Sequence, residues 1–287
     1  MTIAAGTYSY EQELRVAIDL ARNAGARILE LYNRPIEVLE KFDLDVSEPV
    51  TIADQIANEL IVKGLHEHFA DDGVLAEESV DTERRLSKER VWMVDPLDGT
   101  NGFIDGNGDF AVQIGLAVGG QAVLGVVYQP LPDLLYRAVI GEGSWIETAA
   151  GEVSRAEVSK QTDLSQMRLA ASRSHRSPRM DRVVRALGVN QEVRRGSVGI
   201  KVGLLIEQRC DLYVHLSPRT KQWDTCAPQI ILTEAGGSIS DLFGRPITYN
   251  SADVQNRNGL VASNSISHDH IIAVLEPLLA QFGRVPV

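Results

Sequence analysis

Val91-Trp92-Met93-Val94-Asp95-Pro96-Leu97-Asp98-Gly99-Thr100-Asn101-Gly102 runs from an apolar strand straight into a turn that carries two carboxylates. The four apolar residues at its start read as a buried strand, which the proline is expected to end. Asp95 and Asp98 then stand three residues apart where the backbone must turn, Gly99 supplies the freedom to turn, and Thr100 places a hydroxyl beyond the second acid. Hard cations such as Mg²⁺ take oxygen ligands, namely carboxylates, carbonyls and water. Two acids at a rigid strand end, with no Cys or His between them, suit that demand. The same residues also make an ordinary acidic turn, so this spacing alone leaves both readings open.

The totals set the frame for that choice. A chain of 287 residues fits one large domain or two of roughly 100–200 residues each. With 44% hydrophobic and 23% charged residues, it has the composition of a globular protein with a large core. The net charge of −11 argues against a broad nucleic-acid footprint, which needs a basic surface. An anionic substrate remains compatible, because bound cations reverse the local field. Cys210 and Cys226 form no C-x-x-C and no zinc pattern, so a reduced pair in a cytoplasmic protein is expected. The first ten residues hold no basic segment followed by an apolar one, and no apolar run approaches eighteen residues. Neither a signal peptide nor a membrane span is therefore expected.

Outward from the strand, residues 10–33 carry Leu14, Ile18, Ala21, Gly25, Ile28 and Leu31 at helical steps, and Pro35 ends the pattern. Residues 41–48 are polar and read as a loop or hairpin tip. Thr51 is a good N-cap for a second helix, with Asp54 three residues later as in a capping box and with Ile52, Ile56, Leu60, Leu65 and Phe69 expected on its buried face. Asp54 either completes that cap only or joins other acids. Val74-Leu75-Ala76 is a short strand leading into Glu77-Glu78-Ser79; adjacent glutamates are more often solvated than functional. Residues 81–90 are charged and read as an exposed connection. Past the central motif, Val112, Ile114, Leu116 and Val118 alternate with Gln113, Gly115 and Ala117, and Gly119-Gly120 signals a hairpin into further strands up to Ile146. The first half thus predicts two helices on an antiparallel sheet.

From residue 151 the character changes, and residues 152–166 read as a boundary between a first part, 1–155, and a second, 156–287. The second part alternates strands and helices. Between Arg168 and Arg195 lie eight arginines against two acids, Asp181 and Glu192; some could clamp phosphate, while Arg182 and Arg185 fit a solvated helix face. Lys201 falls near the start of a helix, where free N–H groups favour an anion, or is a surface lysine. Trp223-Asp224-Thr225 opens another helix, and Asp224 could be no more than its N-cap.

Four segments together resemble a known family. Pro49-Val50-Thr51-Ile52-Ala53-Asp54, Ala76-Glu77-Glu78-Ser79, Asp95-Pro96-Leu97-Asp98-Gly99-Thr100 and Trp223-Asp224-Thr225-Cys226-Ala227-Pro228 are similar, in this order, to the lithium-sensitive, magnesium-dependent phosphatases. These include inositol monophosphatase, fructose-1,6-bisphosphatase and 3′(2′),5′-bisphosphate nucleotidase. The resemblance spans Thr51 to Ser263. It implies a layered αβαβα sandwich, with an α+β first half carrying most metal ligands and an α/β second half carrying substrate-binding residues and Asp224.

It also implies a phosphoric monoester hydrolase working through two or three Mg²⁺ ions. By resemblance, Glu77, Asp95, the Leu97 carbonyl, Asp98 and Asp224 are metal ligands. Asp54, Glu77 and Thr100 are catalytic. Asp98, Gly99, Thr100, Ser172, Arg173, His175, Lys201 and Asp224 contact the substrate. Phe103-Ile104, Gly108-Asp109-Phe110 and Ser172-Arg173-Ser174-His175 look closest to the bisphosphate nucleotidase branch, which implies hydrolysis of 3′-phosphoadenosine 5′-phosphate to AMP by a metal-activated water. The alternative is an inositol-1-phosphate or fructose-1,6-bisphosphate phosphatase. Two departures from that branch bear on the substrate: Asn101-Gly102 stands where Lys-Glu is common, and Ser47-Glu48-Pro49 where Ser-Pro is, which would bring Glu48 near a peripheral metal. A retired member serving as a regulatory or RNA-associated module would not need all four acids. The expected partner is a small phosphate ester, with no nucleic acid and no membrane, and a homodimer is left open.

Overall fold

The strand at the centre of the sequence is longer than expected. It runs Arg90–Asp98, through Pro96, and its inner residues are buried on both faces. The protein, seen in a computed structural model, is described over residues 9–35, 37–43, 46–173 and 177–287, with backbone alone at 42–43 and 46–48. His175 and the Glu48 side chain lie outside the described residues.

In chain order the first half holds α1 (Glu11–Leu31), a hairpin of β1 (Val38–Asp43) and β2 (Val46–Thr51), α2 (Ile52–His68), β3 (Gly73–Ala76), β4 (Arg90–Asp98), α3 (Thr100–Ile104), β5 (Ala111–Val118), β6 (Gln121–Gln129), β7 (Leu134–Val139), β8 (Gly143–Glu147) and β9 (Val153–Arg155). The strands from β3 to β9 form one sheet in sequence order, parallel between β3 and β4 and antiparallel elsewhere. The second half follows with β10 (Arg168–Ser172), α4 (Pro178–Leu187), β11 (Gln191–Arg195), α5 (Val198–Ile206), β12 (Leu212–His215), α6 (Gln222–Glu234), β13 (Gly237–Ser240), β14 (Leu260–Asn264) and α7 (Ser265–Gln281). Its sheet is ordered β11-β10-β12-β14-β13, with β10 parallel to both neighbours and β14 antiparallel to both of its own.

Side-chain alternation along the strands builds the layers. Trp92 and Val94 of β4, with Ile114 and Leu116 of β5, share a core with Ala17, Ala21 and Ile28 of α1 and Ala57 and Ile61 of α2. Val91 and Met93 point the other way, into a core shared with Val202 and Leu205 of α5, Ala227 and Ile231 of α6, and Tyr213 and Ala262 of the second sheet. That second sheet turns Leu169, Leu212 and Val261 outward onto Val183 of α4 and Leu275 of α7. The result is the αβαβα sandwich, and each buried Leu, Ile or Val in it contributes about 1.5–3 kcal/mol.

Several sequence expectations are corrected here. The β5 face that carries Gln113, Gly115 and Ala117 is buried as fully as the other, because α6 lies against it. A Cβ at Gly115 would meet the Ala227 nitrogen at 2.8 Å, and one at Gly125 the Ala227 oxygen at 2.5 Å. The buried face of α2 is Ala53, Asp54, Ala57, Asn58, Ile61 and Leu65; of the expected set Leu65 is buried, Ile56, Leu60 and Phe69 are half-buried, and Ile52 is 45% exposed. Residues 81–90 are not wholly exposed either. Arg85 is buried, with its guanidinium bonded to Asp81, Asn250 and the Ser251 carbonyl.

Candidate active site

The site begins where β4 loses its parallel neighbour. β3 pairs with β4 only as far as Val94, and the β4–β5 register shifts between Asp95 and Asp98. A proline is tolerated at such a bulge because no ladder bond is required of it. The bulge lets Asp95, Leu97 and Asp98 all reach one cleft. Asp95 caps the bend, accepting the Leu97 N–H at 3.0 Å. Gly99 follows at φ +100°, and a Cβ there would lie 2.3 Å from the Asp109 oxygen, so only glycine fits. The close approach presses α3, and with it Thr100, over the cleft.

Two acids arrive at the third position of a helix. In α2 the Asp54 Oδ2 accepts the Thr51 N–H at 2.8 Å and the Thr51 hydroxyl at 2.6 Å, which is the expected capping box. Its Oδ1 accepts the Thr100 hydroxyl at 3.0 Å, so the cap and the site use the same carboxylate. In α6 the N-cap is Lys221, not Asp224. Asp224 sits three residues on, and its Oδ2 accepts the Lys221 N–H at 2.7 Å.

Asp98 is the most heavily held. Its Oδ2 accepts from the Gln113 amide at 2.5 Å, from the Gly199 N–H at 2.9 Å and from the Ser197 hydroxyl. Ser197 is the N-cap of α5, so this carboxylate takes the anion position that a helix start offers. Lys201, one turn further on, is buried; its ammonium donates to the Gly196 carbonyl at 3.1 Å and lies 4.8 Å from the centre of the Tyr213 ring.

Burying like charges together has a measurable sign. Burial first, then the charges of Glu77, Asp98 and Asp224, push the Asp95 carboxyl well above its ordinary range. Asp224 is raised in the same way, by burial and then by Asp98 and Glu77. Asp54 is raised by burial, against the lowering effect of the Thr51 bonds. Asp98 is raised by burial, with its Ser197 and Gly199 donors and Lys201 opposing. Burial lowers Lys201 to about 8 even though Asp98 and Asp224 favour its charge. The buried carboxylates of the cleft are therefore short of compensating positive charge.

One neighbouring cation partly answers that need. The Lys41 ammonium, carried in by β1, bonds Glu77 at 2.6 Å and also Glu78. Burial works against its charge, but the two glutamates outweigh it and raise its pKa above the ordinary lysine value.

The cleft encloses about 240 Å³ and brings together Glu77, Asp95, Leu97, Asp98, Gly99, Thr100, Ser172, Lys201 and Asp224 from the sequence reading. Asp54 stands behind Thr100. Arg173 is not part of the cleft lining; its guanidinium bonds Asp109 at 2.6 Å and faces a second groove. Among the described residues, the other arginines of the rich stretch do not gather into a phosphate clamp, and Arg176 lies outside them. Arg168 pairs with Asp211, Arg195 joins Arg173 on Asp109, and Arg179 and Arg182 lie over the Phe282 ring. The sequence reading missed Arg219 and Lys221 on the cleft wall, and Gln113 and Ser197 beneath it.

The residues present fit a divalent cation by donor type: carboxylates from both halves and the Leu97 carbonyl, in an environment that raises the carboxyl pKa values of Asp95, Asp98 and Asp224. Among the described residues, no three Asp, Glu, His or Cys side chains already stand close enough to hold an ion as a set. The fit therefore rests on the donors and their mutual repulsion, not on a closed cage.

This fold and this acid-lined cleft define a class. A profile of the inositol monophosphatase family matches residues 9–280, and the chain belongs to that family of phosphoric monoester hydrolases. Among curated proteins, the 3′(2′),5′-bisphosphate nucleotidase CysQ of Escherichia coli K12 is 37% identical over 236 residues, 80% of this chain and 91% of that one. Inositol monophosphatase 1 of Xenopus laevis is 28% identical over 240 residues, 80% of this chain and 82% of that one. Among solved structures, the IMPase of Thermotoga maritima superposes with a TM-score of 0.80 at 25% identity, covering 95% of this chain and all of that one. CysQ of Bacteroides thetaiotaomicron gives 0.74 at 30% identity, covering 89% and 98%. No helix among the described residues is long and apolar enough to cross a membrane.

Proposed function

We propose that this chain is a magnesium-dependent 3′(2′),5′-bisphosphate nucleotidase that converts 3′-phosphoadenosine 5′-phosphate and water to AMP and phosphate. The observation that carries this reading is that one cleft is lined by both acids and cations. Glu77, Asp95, Asp98 and Asp224 supply the acids, and Lys201, Arg219 and Lys221 the cations. A monophosphate needs only the first, through bound cations; a second phosphate needs the second. The likeness to two CysQ proteins supports the same choice.

In this reading Glu77, Asp95, the Leu97 carbonyl, Asp98 and Asp224 hold two or three Mg²⁺ ions. Bound magnesium would supply positive charge to the phosphoryl oxygens and lower the pKa of a bound water. The chain does the rest. The Thr100 hydroxyl, donating to Asp54 at 3.0 Å, presents its lone pairs to the attacking water and orients it. As the water oxygen bonds to phosphorus, the bond from phosphorus to the 3′ oxygen breaks, and that oxygen takes up a proton. Lys201, Asp98 and the Gly99 backbone position the substrate, with Ser172 at the rim.

The two cysteines are free and buried, which supports placement in the reducing cytoplasm. Phosphate release from 3′-phosphoadenosine 5′-phosphate, inositol 1-phosphate and fructose 1,6-bisphosphate, with and without Mg²⁺ and with added Li⁺, tests the reading. The first substrate should be turned over fastest, only with Mg²⁺, and Li⁺ should inhibit. Preference for either of the other two would overturn the substrate, and Mg²⁺-independent turnover would overturn the mechanism.

A further inference from the structure

Gln113 sits in the middle of β5, opposite Asp95 in the β4–β5 register, and is fully buried. Its amide nitrogen donates to Asp98 Oδ2 at 2.5 Å. Its amide oxygen is buried without a hydrogen-bond partner among the described residues. Reversing the amide would satisfy neither end, because it would set a carbonyl oxygen against a carboxylate. The chain thus leaves one buried acceptor unpaired, which costs free energy, in order to give Asp98 a donor.

The helix across from it is shaped to the same end. A Cβ at Gly199 would lie 3.1 Å from both the Gln113 amide carbon and its oxygen, and 2.8 Å from Val127. Glycine there lets the amide reach Asp98, and its N–H donates to the same Oδ2. With Ser197 added, three donors occupy that oxygen, whereas Oδ1 accepts no hydrogen bond among the described residues.

We propose that Gln113 is a positioning residue for Asp98: it holds Oδ2 against the protein so that Oδ1 alone faces the cleft and the divalent cation. The inference rests on the metal reading given above. Side chains that orient a metal ligand typically govern affinity by about 10–100-fold, and Gln113 belongs to that group while touching neither substrate nor ion.

The test is Mn²⁺ binding, followed by electron paramagnetic resonance on the full chain without substrate, for wild type and Gln113→Met. Methionine keeps the volume and removes the donor. The proposal expects Mn²⁺ affinity to fall about 10–100-fold, with KM at saturating Mg²⁺ changed by less than about twofold. Equal Mn²⁺ affinity in the two proteins would overturn it and leave Gln113 as core packing. Absence of Mn²⁺ binding by wild type would overturn it together with the metal reading, which separates the two failures. Should Gln113→Met not fold, the wild-type Gln113 side-chain amide is followed by ¹⁵N NMR. Its resonances should exchange slowly with solvent and shift on adding Mg²⁺; a resonance indifferent to Mg²⁺ overturns the proposal.

Discussion

The N-termini of α2 and α6 are built alike and used differently. Each carries an aspartate at its third position that accepts the N-cap N–H, Thr51 for Asp54 and Lys221 for Asp224. In α2 the cap is complete, and both carboxylate oxygens are taken, one by Thr51 and the other by Thr100. In α6 the N-cap is a lysine, and its N–H donates to Oδ2 of Asp224, with no threonine hydroxyl among the described residues set over the other oxygen as Thr100 is over Asp54. A carboxylate with both oxygens already bonded has fewer lone pairs left for a cation. One with a free oxygen can bind a cation directly. On the proposed reading Asp54 orients Thr100 and Asp224 contacts an ion directly, though local sequence gives both the same capping signature.

Substitutions can break that contrast. Charge stabilisation by bound metal is worth several kcal/mol, so Asp224→Asn should lower kcat about 10³-fold and should weaken Mg²⁺ activation as well. Thr100→Ala should lower kcat about 10²-fold while leaving Mn²⁺ affinity near wild type; equal losses of both in the two variants would erase the distinction. Thr51→Ala removes half of the α2 cap. It should cost about 1 kcal/mol of stability in denaturant unfolding and affect turnover less than Thr100→Ala does.

The smallest effect belongs to a buried polar group far from either helix start. His268 is held between the Ser240 and Ser263 hydroxyls, both at 2.8 Å, and burial lowers its pKa, with Asp269 opposing. The unfolded chain binds the proton more readily, so its stabilising contribution is complete above the unfolded value of about 6.5 and is lost as pH falls through and below it. Wild type should lose more unfolding free energy than His268→Gln between neutral pH and pH 5.5. Parallel pH profiles would show that the ring does not titrate with folding.

The sequence shows the fold's order and the cleft's acids because both are written locally. Alternation in 112–118 marks a strand, and Thr51 with Asp54 marks a helix start, whatever the rest of the chain does. What it hides depends on contacts between halves. Gln113, Gly115 and Ala117 look like a solvent face by period alone, and only the packing of α6 across the sheet shows that they are interior. For the same reason period alone does not mark Gln113 as a partner of Asp98, although a lone amide in an apolar strand beside Gly115 is a usable signal. The arginine-rich stretch misleads in the opposite direction. Charge density along the chain suggested a clamp, but Arg173 and Arg195 are spent on Asp109, which ties the loop before β5 to the segment feeding α5.

Anomalous diffraction from crystals soaked in Mn²⁺ tests the central claim most directly. The account predicts anomalous density in the cleft, within ligating distance of Asp95 and Asp98 and of at least one of Glu77 and Asp224. Ordered crystals whose cleft shows no anomalous peak at saturating Mn²⁺, or whose ions lie only on the protein surface, would contradict it.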